Sequence, residues 1–187
     1  MDFAYNDEQK EIIKVVRDLV EKEIVPYASE MDETGKLHEG LLEKLAAQGL
    51  LGVAIPEEFG GAGLDAITIA AIYEELGKGC AGVATTVAAN ALASYPVIIA
   101  GNDDQKKRYF DIINEDNLAA FALTEPGTGS DAGSVSTRAM KTEDGKGYIL
   151  NGTKCFITNG ALAEVFVVFA NTRKSGGIRG LTAFIVR

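Results

Sequence analysis

The hydrophobic pattern of this chain changes period once, near Asn117, and that change bounds what it can fold into. Before it, Ile12, Ile13, Val16, Leu19, Val20 and Ile24 recur at steps of three and four, an apolar stripe on one helical face. Asn6 followed by Gln9 has the form of a capping box, in which two side chains satisfy each other's free backbone N–H groups. Pro26 removes a hydrogen bond and is expected to weaken that helix. A short helix is predicted from Glu39 to Gln48, with Leu41, Leu42 and Leu45 inward and Gly49 as its stop. Gly52 to Asp65, rich in glycine, reads as a loop.

Two further helices are predicted over Ala66 to Gly77 and Ala81 to Ala100. The second is built of small and apolar residues, which predicts packing on every side. Thr85, Thr86, Asn90, Ser94, Tyr95 and Pro96 interrupt it, as suits a buried helix better than a membrane span. Asp103 or Asp104 is expected to cap a last helix through Gln105, Tyr109, Phe110 and Ile113. Residues 1–116 therefore read as a five-helix bundle domain.

From Asn117 the period is two. Leu118 to Leu123, Tyr148 to Ile157, Val165 to Ala170 and Leu181 to Val186 read as strands, with Asp144-Gly145 and Asn159-Gly160 as turns. The chain stops at Arg187 on a strand-like run. That reads as a cut inside a second domain, 117–187.

Charge and composition narrow the function. The net charge of -9 argues against a nucleic-acid binder. The balance is uneven: 22 acidic and 10 basic residues run through Asp116, against 5 acidic and 8 basic after it. The mildly basic second part suits an anionic small ligand, and equally a solvated surface. A single histidine, His38, rules out a two-histidine metal site built from this chain alone. Cys80 and Cys155 stand outside any Cys-x-x-Cys motif, so no disulfide framework is expected and a reducing cytoplasm is the simpler setting. The acidic opening does not resemble a signal or transit peptide.

The segment most able to hold a ligand is Phe121 to Ser134, F-A-L-T-E-P-G-T-G-S-D-A-G-S. Gly127, Gly129 and Gly133 let backbone N–H groups approach a ligand closely, and Thr124, Thr128, Ser130 and Ser134 add hydroxyls. A decorated turn is the alternative. Gly127, Gly129 and Ala132 match G-x-G-x-x-A, but that fingerprint must open a helix. Val135, Thr137, Ala139 and Lys141 follow instead in a strand-like pattern, so no Rossmann site is expected. Without a Gly-Lys-Ser/Thr it is no P-loop either.

The motifs Thr124-Glu-Pro-Gly-Thr-Gly-Ser-Asp131, Leu150-Asn-Gly-Thr-Lys154 and Phe156-Ile-Thr-Asn-Gly160 resemble the acyl-CoA dehydrogenases, most of all the short-chain, butyryl-CoA type of bacteria. Weaker matches run in order: Met1-Asp2-Phe3 with Glu8-Gln9, Pro56-Glu-Glu-Phe-Gly-Gly61, and Gly101 with Gln105-Lys106. The resemblance implies an α+β multidomain fold: an N-terminal all-α helical bundle, a middle antiparallel β-barrel that is incomplete here, and a C-terminal four-helix domain that is absent. It implies FAD as cofactor, short-chain acyl-CoA as substrate, electron-transferring flavoprotein as electron acceptor, and a homotetramer for the full-length protein. Carried over by position, Phe121, Leu123, Thr124, Gly129 and Ser130 line the flavin, and Ser130 also faces the thioester substrate. Phe156, Ile157 and Thr158 form the second flavin segment, with Phe156 standing where many members have Trp. Read locally, alternation along a strand puts the Phe156 ring and the Thr158 hydroxyl on one side. The plainer reading makes Phe156 core and Thr158 a cap of the Asn159-Gly160 turn.

The family's catalytic base is a Glu of the C-terminal domain. Glu125 belongs structurally to its loop, and Glu57 and Glu58 read as solvated surface, so no catalytic residue is nominated. A non-catalytic short chain that at most binds nucleotide, CoA or a partner is the competing reading. An oxidase or flavin monooxygenase would share the fold. Thr85, Thr86, Val87, Asn90 and Ala91 are placed on the helix that bounds the acyl pocket, with plain helix packing as their alternative.

Overall fold

Asn6 and Gln9 close the expected capping box: the Gln9 N–H donates to the Asn6 side chain at 2.8 Å, and the Asn6 N–H to the Gln9 side chain at 3.1 Å. They open α1 (Asp7–Leu19) in the computed structural model, which describes residues 4–173 and 176–187. Met1-Asp2-Phe3, part of the family resemblance, lie outside the described residues.

Pro26 does not end the helical path. The chain widens into a π turn (Val20–Ile24), then tightens into a 3-10 turn (Val25–Tyr27). Pro26 falls early in that turn, where its missing N–H costs little. The path resumes as α2 (Ala28–Thr34), and Met31 on it is buried. The remaining helices are α3 (Leu41–Ala47), α4 (Ala66–Gly79), α5 (Ala81–Ala100) and α6 (Asp103–Ile113), so the described residues hold six α-helices where five were expected. The α6 cap is Asn102, which forms a second capping box with Gln105. Asp103 and Asp104 fall in the first turn instead, where a negative charge suits the helix dipole.

The helical core gathers Val16, Val20, Ile24, Leu41, Leu45, Ile72, Leu76, Val83 and Val87. A second cluster joins helices to sheet: Ala93 and Val97 of α5 and Tyr109, Phe110 and Ile113 of α6 pack with Ala119, Val165 and Val167. Among the described residues, α5 is the one helix long and apolar enough to cross a membrane, and here it is a central packing element against α4, α6 and the sheet. It is not covered on every side as expected. Leu92, Tyr95 and Ile99 are exposed, Ile99 at 81%.

The strands β1 (Ala119–Ala122), β2 (Arg138–Lys141), β3 (Tyr148–Asn151), β4 (Val165–Asn171) and β5 (Leu181–Val186) form one open mixed sheet. This corrects the antiparallel expectation. β1 and β2 run parallel to β4, and only β2–β3 and β4–β5 are antiparallel. β5 pairs along β4 from Phe166 to Asn171, so β1 and the start of β2 share the other edge of β4, one at each end. Adjacent runs of alternating residues suggest antiparallel neighbours, but the long excursion between β1 and β4 allows a parallel pairing that period alone does not encode.

Glu75 locks α1 to α4. Its buried carboxylate accepts two hydrogen bonds from Arg17, at 2.9 and 3.1 Å, and one from Lys78 at 2.7 Å. The Arg17 guanidinium, with Lys78 beside it, outweighs the burial and lowers the Glu75 pKa from 4.5 to about 2. A folded-state pKa below the unfolded one adds stability above the unfolded value, and that stability is lost as pH falls. Glu75→Gln is therefore expected to flatten the acid limb of the stability curve between about 4.5 and about 2. Urea denaturation at stepped pH checks this; parallel curves for the two proteins would refute it.

Candidate functional site

The glycine loop begins as the chain leaves β1. Glu125 and Thr128 exchange backbone hydrogen bonds, both 3.0 Å, closing a tight turn over Pro126-Gly127. The Glu125 side chain turns inward and is buried. Its carboxylate accepts from the Ser136 N–H at 2.7 Å, the Thr137 N–H at 2.9 Å, both neighbouring hydroxyls, and the Lys154 ammonium at 2.8 Å. Five donors saturate the roughly four lone-pair sites of a carboxylate. Burial opposes the charge, but the Lys154, Ser136 and Thr137 hydrogen bonds outweigh it and hold the carboxyl far below the usual range. Such a group does not act as a proton-abstracting base near neutral pH.

Lys154 is the bridge to the second segment. Its ammonium also donates to the Leu123 carbonyl at 2.9 Å, and the next N–H, of Cys155, donates to the Thr124 carbonyl at 3.0 Å. The two motif segments thus lie side by side. Part of the positive charge expected to favour an anionic ligand is spent internally here, because Lys154 is committed to Glu125.

The second segment is not a strand. β3 ends at Asn151, and Phe156 has a left-handed backbone, φ 56°. Strand alternation therefore does not place Phe156 and Thr158. The cause lies in Gly152 and Lys154. A Cβ on Gly152 would stand 2.2 Å from Thr137 Oγ1, and Lys154 is drawn to Glu125 rather than into a ladder. Phe156 is 93% exposed, so it is not core. Nor does Thr158 cap the following turn: its exposed hydroxyl makes no hydrogen bond among the described residues. Asn159, at φ 64°, makes that turn.

The other expected site residues sort clearly. Leu123 and Thr124 are half-buried and serve through their carbonyls, while Gly129 and Ser130 are exposed. Phe121 is half-buried on the helix-facing side of the sheet, its ring 4.9 Å from that of Phe169. Ile157 borders two hollows. One, about 390 Å³, is floored by Ala122, Phe166 and Val168 with Phe156 at its edge. The other, about 940 Å³, lies between residues 31–43 and the 157–162 turn, with Thr86, Val83 and Thr158 along it. Of the residues placed on the acyl-pocket helix, Val87, Asn90 and Ala91 are buried in the core and take the packing alternative. Thr85 is exposed and bonds back to Ala81, and Thr86 faces the larger groove.

The importance of Lys154 was missed in the sequence. A usable signal existed: the second part holds only five acidic residues, and Glu125 is the first of them, inside the glycine-rich motif directly after a predicted strand. Gly127 and Gly129 are the converse case. Neither has a left-handed backbone, and a Cβ on either would meet nothing within 4 Å. Neither turn geometry nor packing calls for glycine there.

Residues 6–115 match the model of the acyl-CoA dehydrogenase N-terminal domain, and residues 120–187 that of the middle domain. The chain belongs to the acyl-CoA dehydrogenase family. It is 43% identical over 183 residues to a 3-(aryl)acrylate reductase of Clostridium sporogenes, covering 96% of this chain and 48% of that protein. The butyryl-CoA dehydrogenase structure from Megasphaera elsdenii aligns with a TM-score of 0.90 at 39% identity, over 100% of this chain and 50% of that one. An acyl-CoA dehydrogenase from Bacillus anthracis, solved in complex with FAD, aligns with a TM-score of 0.85 at 38% identity, over 98% and 32%. The chain spans about half the length of the curated relatives it matches.

For an acyl-CoA dehydrogenase chain, the open space over Gly127 and Gly129 is a fit test for a flat, phosphate-bearing cofactor. Side chains at either position would fill that space. The exposed Phe156 ring, on a backbone that few aromatic residues adopt, supplies an uncovered stacking face on the second segment. The residues present fit FAD.

Proposed function

We propose that this chain supplies the front half of an FAD-dependent acyl-CoA dehydrogenase that oxidises short-chain acyl-CoA to trans-2-enoyl-CoA. Electrons pass on to electron-transferring flavoprotein. The observation that carries this reading is the pair of segments joined through Lys154 and Cys155, one carrying the open Gly127 and Gly129 and the other the bare Phe156 ring. Residues 1–116 are read as the helical domain and 117–187 as the start of the middle barrel, whose open sheet further strands would close. A C-terminal helical domain completes the whole cytoplasmic homotetramer.

Within this reading, FAD when bound would supply the acceptor for the β-hydride. From the glycine loop Leu123, Thr124, Gly129 and Ser130 would line it, and Ser130 would also meet the thioester. Phe156 would stack against it, Ile157 would back the segment and Thr158 would offer its hydroxyl to the ring. The resemblance to the family places the carboxylate that would remove the α-proton in the C-terminal domain; Glu125, saturated with donors, is a structural part of its loop.

The test is anaerobic addition of butyryl-CoA to the full-length protein, watching the flavin absorbance. Bleaching that electron-transferring flavoprotein restores supports the reading. Protein without FAD, or flavin that never bleaches, favours the non-catalytic alternative, and fast reoxidation by air favours an oxidase. Thr158→Val is expected to slow flavin reduction by about 100- to 1,000-fold, the scale of losing one well-placed donor. Unchanged stopped-flow rates would remove Thr158 from the ring.

A further inference from the structure

Ala119, the first residue of β1, has both sides of its backbone held by asparagine side chains from distant parts of the chain. Its N–H donates to Asn90 Oδ1 at 2.7 Å, and its carbonyl accepts from Asn159 Nδ2 at 3.1 Å. Asn90 lies on α5, 1% exposed, and its own amide points to the carbonyls of Leu51 and Asn117. Asn159 also donates to the carbonyl of Thr86, at 3.0 Å, one α5 turn before Asn90. The bonds close a ring from α5 through Asn90, Ala119 and Asn159 back to α5.

A turn at positive φ needs only a residue that tolerates it, and starting a strand needs no side chain. Burying an amide is costly unless its bonds are made; Asn90 is partnered at both its N–H₂ and its oxygen, and the half-buried Asn159 uses its N–H₂ twice. What the ring adds is placement. It ties residue 159, directly after Thr158, both to the first residue of β1 and to the helix whose Thr86 borders the same groove as Thr158.

Building on the acyl-CoA dehydrogenase reading, we propose that Asn159 and Asn90 are positioning residues. They hold the Phe156–Thr158 segment in one register against α5. The flavin-facing hydroxyl and the helix bordering the groove then keep a single relative placement. Misplacement of reacting groups by about 1 Å can cost on the order of 100-fold in rate, so losing the clamp acts through geometry rather than through contact.

The experiment uses the full-length protein with FAD and compares wild type, Asn159→Gly and Asn159→His. Glycine keeps the left-handed turn and drops both bonds, whereas histidine tolerates that backbone and keeps an N–H donor. The readouts are flavin retention, the change in the visible flavin spectrum on adding enoyl-CoA, and the flavin reduction rate. Asn159→Gly is expected to keep FAD, to lose at least about half of the ligand-induced spectral change, and to reduce flavin roughly tenfold or more slowly. Asn159→His is expected to recover part of both, and if the glycine variant does not accumulate, the histidine variant is compared directly with wild type. Spectral change and rate equal to wild type, with only a lower melting temperature, would overturn the proposal. A wild-type protein that binds no FAD would refute the functional reading itself.

Discussion

Glu125→Ala is expected to lower the free energy of unfolding by about 3–5 kcal/mol, the usual cost of removing one partner from a buried ion pair. The loss has named parts. Lys154, half-buried, would keep only the Leu123 carbonyl. The N–H groups of Ser136 and Thr137 would face an empty site, and an unpaired buried donor costs about 1–3 kcal/mol. Native stability totals about 5–15 kcal/mol, so the variant stands close to the edge of folding. The second segment would come loose from the first, and bound FAD is expected to be lost with it. Urea denaturation and flavin content check both. A change below about 1 kcal/mol would mean that water already reaches the network. Glu125→Gln is the finer probe: it keeps the volume but turns an amide N–H₂ toward donors, and is expected to retain little of the stability. In wild type the carboxyl is held below its usual range, so its contribution is present at neutral pH and fades only as pH falls through the lowered pKa.

Gly129→Val is expected to leave stability within about 0.5 kcal/mol of wild type while weakening FAD binding by about 100-fold or more. The chain gives no reason for glycine at 129, because the added Cβ meets nothing and the backbone is not left-handed. Gly127→Ala belongs with it, and is expected even to stabilise the apoprotein by about 0.4–1 kcal/mol through the unfolded chain. Gly152→Ala makes the contrast. Its Cβ would lie 2.2 Å from Thr137 Oγ1 and 2.7 Å from Thr137 Cα, on a residue that holds Glu125. Overpacking of that kind costs about 1–3 kcal/mol and is expected to harm folding and flavin binding together. Thermal melts of the apoproteins beside FAD titrations separate the two classes. Equal FAD affinity in Gly129→Val and wild type would take the glycine loop out of the cofactor site.

The helices and strands are legible in the sequence where local chemistry marks an end or an apolar run sets the length. The Asn6–Gln9 box follows from spacing and capping, and the spans of α5 and β5 from the extent of their apolar runs. Pro26 misled because a proline early in a 3-10 turn interrupts a helix without ending its path. The run from Tyr148 to Ile157 misled because its β-forming residues are overruled by two distant partners: Thr137 crowds Gly152, and Glu125 draws Lys154. Asn90 looked like a pocket residue by its place on α5, yet its amide is consumed by Leu51, Asn117 and Ala119.

By itself, then, the sequence determined the division into a helical and a β part, most element spans, and the two motif segments that carry the family resemblance. Each of these depends on period, capping or residue identity within a short window. Only the tertiary structure decided that β1 and β2 lie parallel to β4, that Phe156 stands left-handed in the open, and that the two segments meet through Glu125 and Lys154. It alone closed the asparagine ring around Ala119. Those features depend on hydrogen bonds between residues 12 to 73 positions apart, and no local pattern encodes which distant partner a buried polar group will find.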